Sequence, residues 1–216
     1  DGMIMDDGVT TCLGKSHYLI STTTGNAATV LQWLEEWLQT EWPELRVFCN
    51  SVTEDWSTIS LCGPNSRKLL SEFPSNIDFS SKSFPYMTAK NGVIGDIPTR
   101  ISRISFTGEP TFEISVPASY GLSLWTQLIN AGQKYGITPY GTESMHILRA
   151  EKGYIIVGQE TDGTVTPYDL GMSWIVNNNN DFIGKRSLLR SDINRDNRKQ
   201  LVGLLPDKVN EVLCEG

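Results

Sequence analysis

"RISFTGEPTFEISVP", Arg103–Pro117, carries two kinds of local structure in fifteen residues. Its second half alternates, with Phe112, Ile114 and Val116 on one parity and Glu113 on the other. A period of two puts those apolar side chains on one face of a β-strand and the carboxylate on the opposite face. Thr107–Pro110, with its Gly and Pro, reads as the loop before it, and "VIGDIPTRIS" reads as the strand before that loop. "SYGLSLWTQLINAG" then switches to helical spacing and is stopped by Gly132 and Gly136. Two strands, a loop and a helix in a row favour an α+β fold with antiparallel or mixed sheets over a doubly wound parallel one.

Upstream, "HYLIST" (17–22) is a strand and "GNAATVLQWLEEWLQTE" an amphipathic helix, with Asn26 as its N-cap and Val30, Leu31, Leu34, Trp37 and Leu38 on one face. "HYLISTTTGNAATVLQWL" and "TFEISVPASYGLSLWTQL" echo each other as strand, small polar loop and Trp-bearing helix. Either the echo is coincidence or it marks duplicated split β-α-β units. "VFCNSV" and "STISLCG" suggest a hairpin around Thr53–Trp56, and a short helix capped by Asn65 follows. "MIMDDGVT" (3–10) reads as a buried strand meeting a turn. Downstream, a helix capped by Thr142 ends near Gly153, and "DGTVTPYDLGMSWIV" reads as loop, turn and strand. Residues 185–199 hold six basic and two acidic side chains, a solvated helix and linker, and "KQLVGLLPDKVNEVLCEG" (199–216) is expected to start a new strand.

Composition narrows the function. A chain of 216 residues with 39% apolar content and six Trp can bury a core. Its net charge of −7 argues against a nucleic-acid partner. No apolar run reaches the length of a membrane span, and the first twenty residues do not read as a signal peptide. Cys12, Cys49, Cys62 and Cys214 form no C-x-x-C pair and read as free thiols in a reducing cytoplasm. His17 and His146 are too few for a multi-histidine metal site, and there is no G-x-S-x-G elbow and no G-x-G-x-x-G for a flavin or NAD.

On residue type alone the candidate positions stay two-sided. Asp7 is either turn chemistry beside Gly8 or a carboxylate pointing into a site, with Asp6 facing the other way. Glu113 is either an exposed strand residue or a buried acceptor that needs a partner. Phe106 and Tyr154 are core aromatics or ring-stacking ones. His146 reads as helix packing.

Five stretches, in order, resemble the aminomethyltransferase family, the glycine-cleavage T-proteins and their folate-binding relatives: "GMIMDDGVT", "RISFTGEPTFEISV", "LRAEKGYIIVGQE", "TPYDLGMSWIV" and "DFIGKRSLL". "WLEEWLQTEWP", "MH" and "KGYIIVGQ" are most similar to the carboxy-terminal part of the alpha subunit of heterotetrameric sarcosine oxidases. The resemblance implies a tetrahydrofolate-binding domain that captures the formaldehyde-level carbon of oxidised sarcosine, giving 5,10-methylenetetrahydrofolate and glycine. A stand-alone aminomethyltransferase and a non-catalytic folate-binding module are the alternatives.

By the same resemblance, Asp7 matches the catalytic aspartate and Glu113 the glutamate that accepts from the pterin. Phe106 takes a position that is often Tyr, Thr23 one that is Asn in T-proteins, and Tyr154 an aromatic near the site. Met145-His146 stands where T-proteins have Arg-Asp, which removes a group that would address a carrier-bound substrate. The implied domains are 1–184 (folate-binding, lacking its start), 185–200 (basic linker) and 201–216 (the start of a β-barrel). The implied partners are a flavin-carrying beta subunit and smaller subunits, with FAD or FMN and NAD held elsewhere in the complex. The stretch alone is expected to be inactive.

Overall fold

The computed structural model describes residues 1–208 and 210–213. They fall into two compact units, Gly8–Tyr154 and a second formed by Asp1–Asp7 with Ile155–Gly216.

The larger unit runs β1 (Val9–Gly14), β2 (His17–Ser21), α1 (Ala27–Thr40), β3 (Trp56–Cys62), α2 (Ser66–Leu70), β4 (Ala89–Ile94), β5 (Ile97–Ser102), β6 (Thr111–Pro117), α3 (Gly121–Gly132) and α4 (Thr142–Lys152). β1 and β2 pair as an antiparallel hairpin. The other four strands form one antiparallel sheet in the order β3-β6-β5-β4. β4, β5 and β6 follow one another as a meander, and β3 joins on the far side of β6. The strand carrying Glu113 is therefore internal, flanked on both sides.

The predicted alternation of β6 holds: Phe112, Ile114 and Val116 are fully buried, and Glu113 is not among them. The core gathers on that apolar face. Ile97 and Ile101 of β5, Ile94 of β4 and Leu61 of β3 join it, covered by Leu69 and Leu70 of α2 and Leu124 and Leu128 of α3. Phe84 packs edge-on against Phe112 with ring centroids 5.6 Å apart. Gly92 is required by close approach, since a Cβ there would lie 2.4 Å from Asn76 Oδ1 and 2.5 Å from Ile77.

Several local expectations change. "VIGDIPTRIS" is two strand ends joined by a turn at Gly95-Asp96, so the region holds three strands and not two. Residues 47–52 form no strand: β3 finds β6 across all seven of its residues, and the nearer partner is not used. Thr142 is the first residue of α4, behind an extended Gly141, and Gly153 closes the helix in the left-handed conformation at φ 78°. The two echoing stretches do share a plan, each placing a single 3-10 turn (Thr24–Asn26, Ala118–Tyr120) between strand and helix. Their settings differ, one beside a two-stranded hairpin and the other inside the four-stranded sheet.

In the smaller unit the chain is mostly irregular, with a 3-10 turn at Ser173–Ile175 in place of the expected strand and a short helix, α5 (Lys185–Leu188). The opening residues are held by a bond from Ile4 N–H to the Val165 carbonyl, 2.9 Å, and by Gly2 against Leu188; residues 3–8 form no strand, and only Val9 and Thr10 of the expected stretch enter one, β1. Asp169 organises the centre. It accepts from Thr166 N–H and Oγ1, both 2.8 Å, and from Arg198 Nε and Nη2 at 2.8 and 2.7 Å. That paired guanidinium holds the Asp169 pKa down at about 2. No strand forms among the described residues beyond 200, where Leu204 and Leu205 are exposed. Cys214 and the last residues of the expected barrel segment lie outside the described residues.

Candidate functional site

The face of the four-stranded sheet turned away from the core is polar. Register places Ser60 of β3 and Ser102 of β5 on either side of Glu113. One row along, Thr58 and Arg100 flank Ser115, and Asn91 of β4 continues that row. The hydroxyls of Thr58 and Ser115 bond at 2.8 Å. Because side chains alternate along each strand, the packing of Phe112 and Ile114 into the core forces Glu113 and Ser115 onto this face.

Glu113 is half-buried, and burial raises its pKa above the usual carboxylate range. Among the described residues no hydrogen bond or ion pair to its carboxylate is present. Such a group is costly to leave without a donor. Near it, the Tyr140 hydroxyl meets Cys62 Sγ at 3.1 Å. Burial, that contact and the charge of Glu113 together push the phenol's pKa up.

A second cluster forms around Arg103. Its Nη1 donates to the Thr111 carbonyl at 2.8 Å, and its guanidinium lies 5.0 Å from the Phe112 ring centre and 6.0 Å from that of Tyr86. Tyr86 in turn hydrogen-bonds Tyr154, and its pKa is raised, chiefly by burial. Arg103 thus fixes both ends of the loop that carries Phe106, which is half-buried. Within that loop Gly108 has φ 81° and lies against the Lys152 stem, where a Cβ would come within 2.5 Å.

An open groove of about 460 Å³ runs between the edge of β1 (Val9–Leu13) and the segment Met87–Asn91, with Ser102 in its wall. None of Asp7, Thr23, Phe106, Glu113 and Tyr154 lines it directly, but Ser102 is the register partner of Glu113. Thr23 is exposed, and its carbonyl accepts from Asn26 N–H at the turn leading into α1. Met145 and His146 are half-buried on α4.

Asp7 belongs to the smaller unit. Its own N–H donates to Asp6 Oδ1 at 2.9 Å, so the first carboxylate of the pair is engaged by the backbone. Although Asp7 is exposed by area, local desolvation and the Asp6 charge raise its pKa. Gly8 follows because a Cβ there would fall 1.8 Å from the Ser21 carbonyl oxygen.

Sequence reading gave no site role to Arg100, Trp56, Cys62 or Tyr140. Parity within a strand was visible; which strands become neighbours was not.

Comparison with known proteins covers nearly the whole chain. Residues 1–180 match the family model "GCVT N-terminal domain". The chain is 55% identical, over all its length, to the sarcosine oxidase subunit alpha of Corynebacterium sp. strain U-96, covering 22% of that protein. It is 39% identical over 95% of its length to the subunit alpha of Rhizobium meliloti, covering 21% of it. An aminomethyltransferase of Halothermothrix orenii is 31% identical over 88% of the chain and 51% of its own. The fold matches the solved structure of the glycine cleavage system aminomethyltransferase T from Bartonella henselae, with TM-score 0.66, 22% identity, and coverage of 82% of this chain and 45% of that one. The chain thus spans about a fifth of the sarcosine oxidase subunits it matches.

Proposed function

Because the chain belongs to the GCVT N-terminal domain family, we propose that it is the tetrahydrofolate-binding, one-carbon transfer part of a sarcosine oxidase alpha subunit. The reaction assigned to it takes the formaldehyde-level carbon of oxidised sarcosine to 5,10-methylenetetrahydrofolate and releases glycine. Tetrahydrofolate, when bound, supplies the nitrogens that take up the carbon.

The observation that carries this reading is Glu113, a half-buried carboxylate on an internal strand with a raised pKa. A pterin's amino group and ring N–H are two parallel donors, which is what a desolvated carboxylate needs. Tyr154, hydrogen-bonded to Tyr86, and Phe106 are assigned as ring surfaces, and the Thr23 hydroxyl as a further bond. Asp7 is assigned to orient the reacting amine and accept its proton. A raised pKa suits a base that must give that proton up again. Met145 brings no cation to α4, consistent with a small free imine as the donor and not a carrier-bound one.

The same reading assigns 1–184 to the folate-binding domain, 185–200 to a basic linker and 201–216 to the start of a β-barrel. It also assigns the flavin-carrying beta subunit and smaller subunits as partners, FAD or FMN and NAD to other parts of the complex, and the whole to the cytoplasm. No helix among the described residues is long and apolar enough to cross a membrane.

The test is a calorimetric titration with tetrahydrofolate, together with turnover in the assembled enzyme. Glu113→Gln should weaken binding by about tenfold or more, the loss of a charge-assisted acceptor. Asp7→Asn should keep affinity and lower turnover by about 10²–10⁴-fold. Unchanged binding in Glu113→Gln would remove the pterin assignment.

A further inference from the structure

The polar face of the sheet holds a second ionisable group that the folate reading does not use. Arg100 of β5 is half-buried, and burial lowers its pKa. Its Nε donates to Asn91 Oδ1 at 3.0 Å, and its guanidinium carbon stands 4.9 Å from the centre of the Trp56 ring. Among the described residues neither terminal nitrogen makes a hydrogen bond, and no carboxylate lies within ion-pair distance. A guanidinium clamped at Nε and laid over an indole keeps its terminal fork open and its plane fixed.

Position narrows what that fork would take. Arg100 pairs in register with Ser115, so Glu113, two residues earlier on β6, is its diagonal neighbour on the same face. Diagonal neighbours stand roughly 7–8 Å apart, beyond a direct ion pair and within the span of a small molecule. Between and beside them are the hydroxyls of Ser60 and Ser102, able to accept from an amine. A dianionic phosphate would meet Glu113 and a chain of net charge −7. A single carboxylate fits the fork bidentately with less repulsion.

We infer that Arg100, set by Trp56 and Asn91, anchors the carboxylate of a small amino acid on this face, with the amine end directed toward the Ser60 and Ser102 row. This rests on the one-carbon reading above, in which the amino-acid half of the transfer leaves as glycine.

The experiment follows the Arg100 ¹⁵Nε–H resonance in the full chain during titration with glycine, acetate and methylammonium, and tetrahydrofolate is titrated into the same sample. Saturable shifts with glycine and acetate, and none with methylammonium, are expected. Glycine affinity by equilibrium dialysis should fall roughly tenfold in Arg100→Lys, which keeps the charge and loses the fork. Asn91→Ala, which frees Nε, should weaken glycine as well, and melting curves confirm that both variants fold. An Arg100 signal that ignores both carboxylates, or an Arg100→Lys variant that binds glycine as the parent does, overturns the inference. If tetrahydrofolate binds and Arg100 stays silent, only this inference falls. If glycine binds and tetrahydrofolate does not, the anchor stands and the one-carbon reading falls.

Discussion

A carboxylate removed from water without a donor raises its own pKa, and Glu113 shows this at the centre of the sheet. The cost has a sign that can be measured. Unfolded, Glu113 loses its proton near the ordinary glutamate value; folded, it holds the proton to higher pH. The folded state is therefore favoured below the unfolded value, and that advantage is lost as pH rises through the raised folded value. Glu113→Gln should stabilise the ligand-free chain at neutral pH, by about 2–4 °C in melting temperature per kcal/mol relieved. The gain should shrink toward zero as pH falls below the ordinary glutamate range. A pH series of melting curves for parent and variant checks it, and a variant less stable at every pH would mean that an acceptor is lost and no charge relieved. The same substitution that stabilises the empty chain should weaken pterin binding, as expected where a site is held at the expense of stability. The orientation of Glu113 could be read from "TFEISV", because alternation fixes parity within one strand. Arg100 could not, because its standing beside Glu113 depends on β5 pairing with β6.

Elements with the same pattern can carry different weight. α1 and α3 both follow a strand and a 3-10 turn, and both have an apolar stripe with Trp on it. α3 places Leu124 and Leu128 fully inside the core, whereas α1 has no buried residue and keeps Leu34 half-buried. Leu128→Ala should cost about 2–5 kcal/mol, the range for a cavity in a packed core. Leu34→Ala should cost about 1 kcal/mol or less, since water already reaches the site. Denaturant melts of the two variants compare them directly, and equal losses would refute the difference in packing. The stripe on each helix was legible in the sequence; the depth of its burial was not, because it depends on what lies opposite. The same limit explains residues 47–52. The stretch reads as one arm of a hairpin with the adjacent strand, but β3 pairs instead with β6, about fifty to sixty residues later, over its full length. Local spacing names a strand and leaves its partner open.

At the scale of the whole molecule, the first seven residues group with the last third of the chain, which no local pattern announces. Ile4 finds Val165 and Gly2 finds Leu188 through contacts spanning most of the sequence. Asp169 holds this unit's irregular chain together. Its carboxylate is 6% exposed and accepts from Thr166 and bidentately from Arg198, and its carbonyl takes the Leu201 N–H at 2.8 Å. Its folded pKa of about 2 lies below its ordinary value of 3.8. The stability it contributes is therefore complete above the ordinary value and is lost as pH falls toward 2. By linkage that stability is on the order of 2 kcal/mol. Asp169→Asn leaves Arg198 without its counter-charge and should cost about 3 kcal/mol at neutral pH, as for a broken buried pair. Hydrogen exchange should quicken first at the amides of Thr166, Asp169 and Leu201. Between pH 4 and 2 the parent should lose stability more steeply than the variant, which has no carboxylate left to protonate at this position. Parallel pH profiles for the two would show that the clamp contributes nothing to holding residues 164–201 in place.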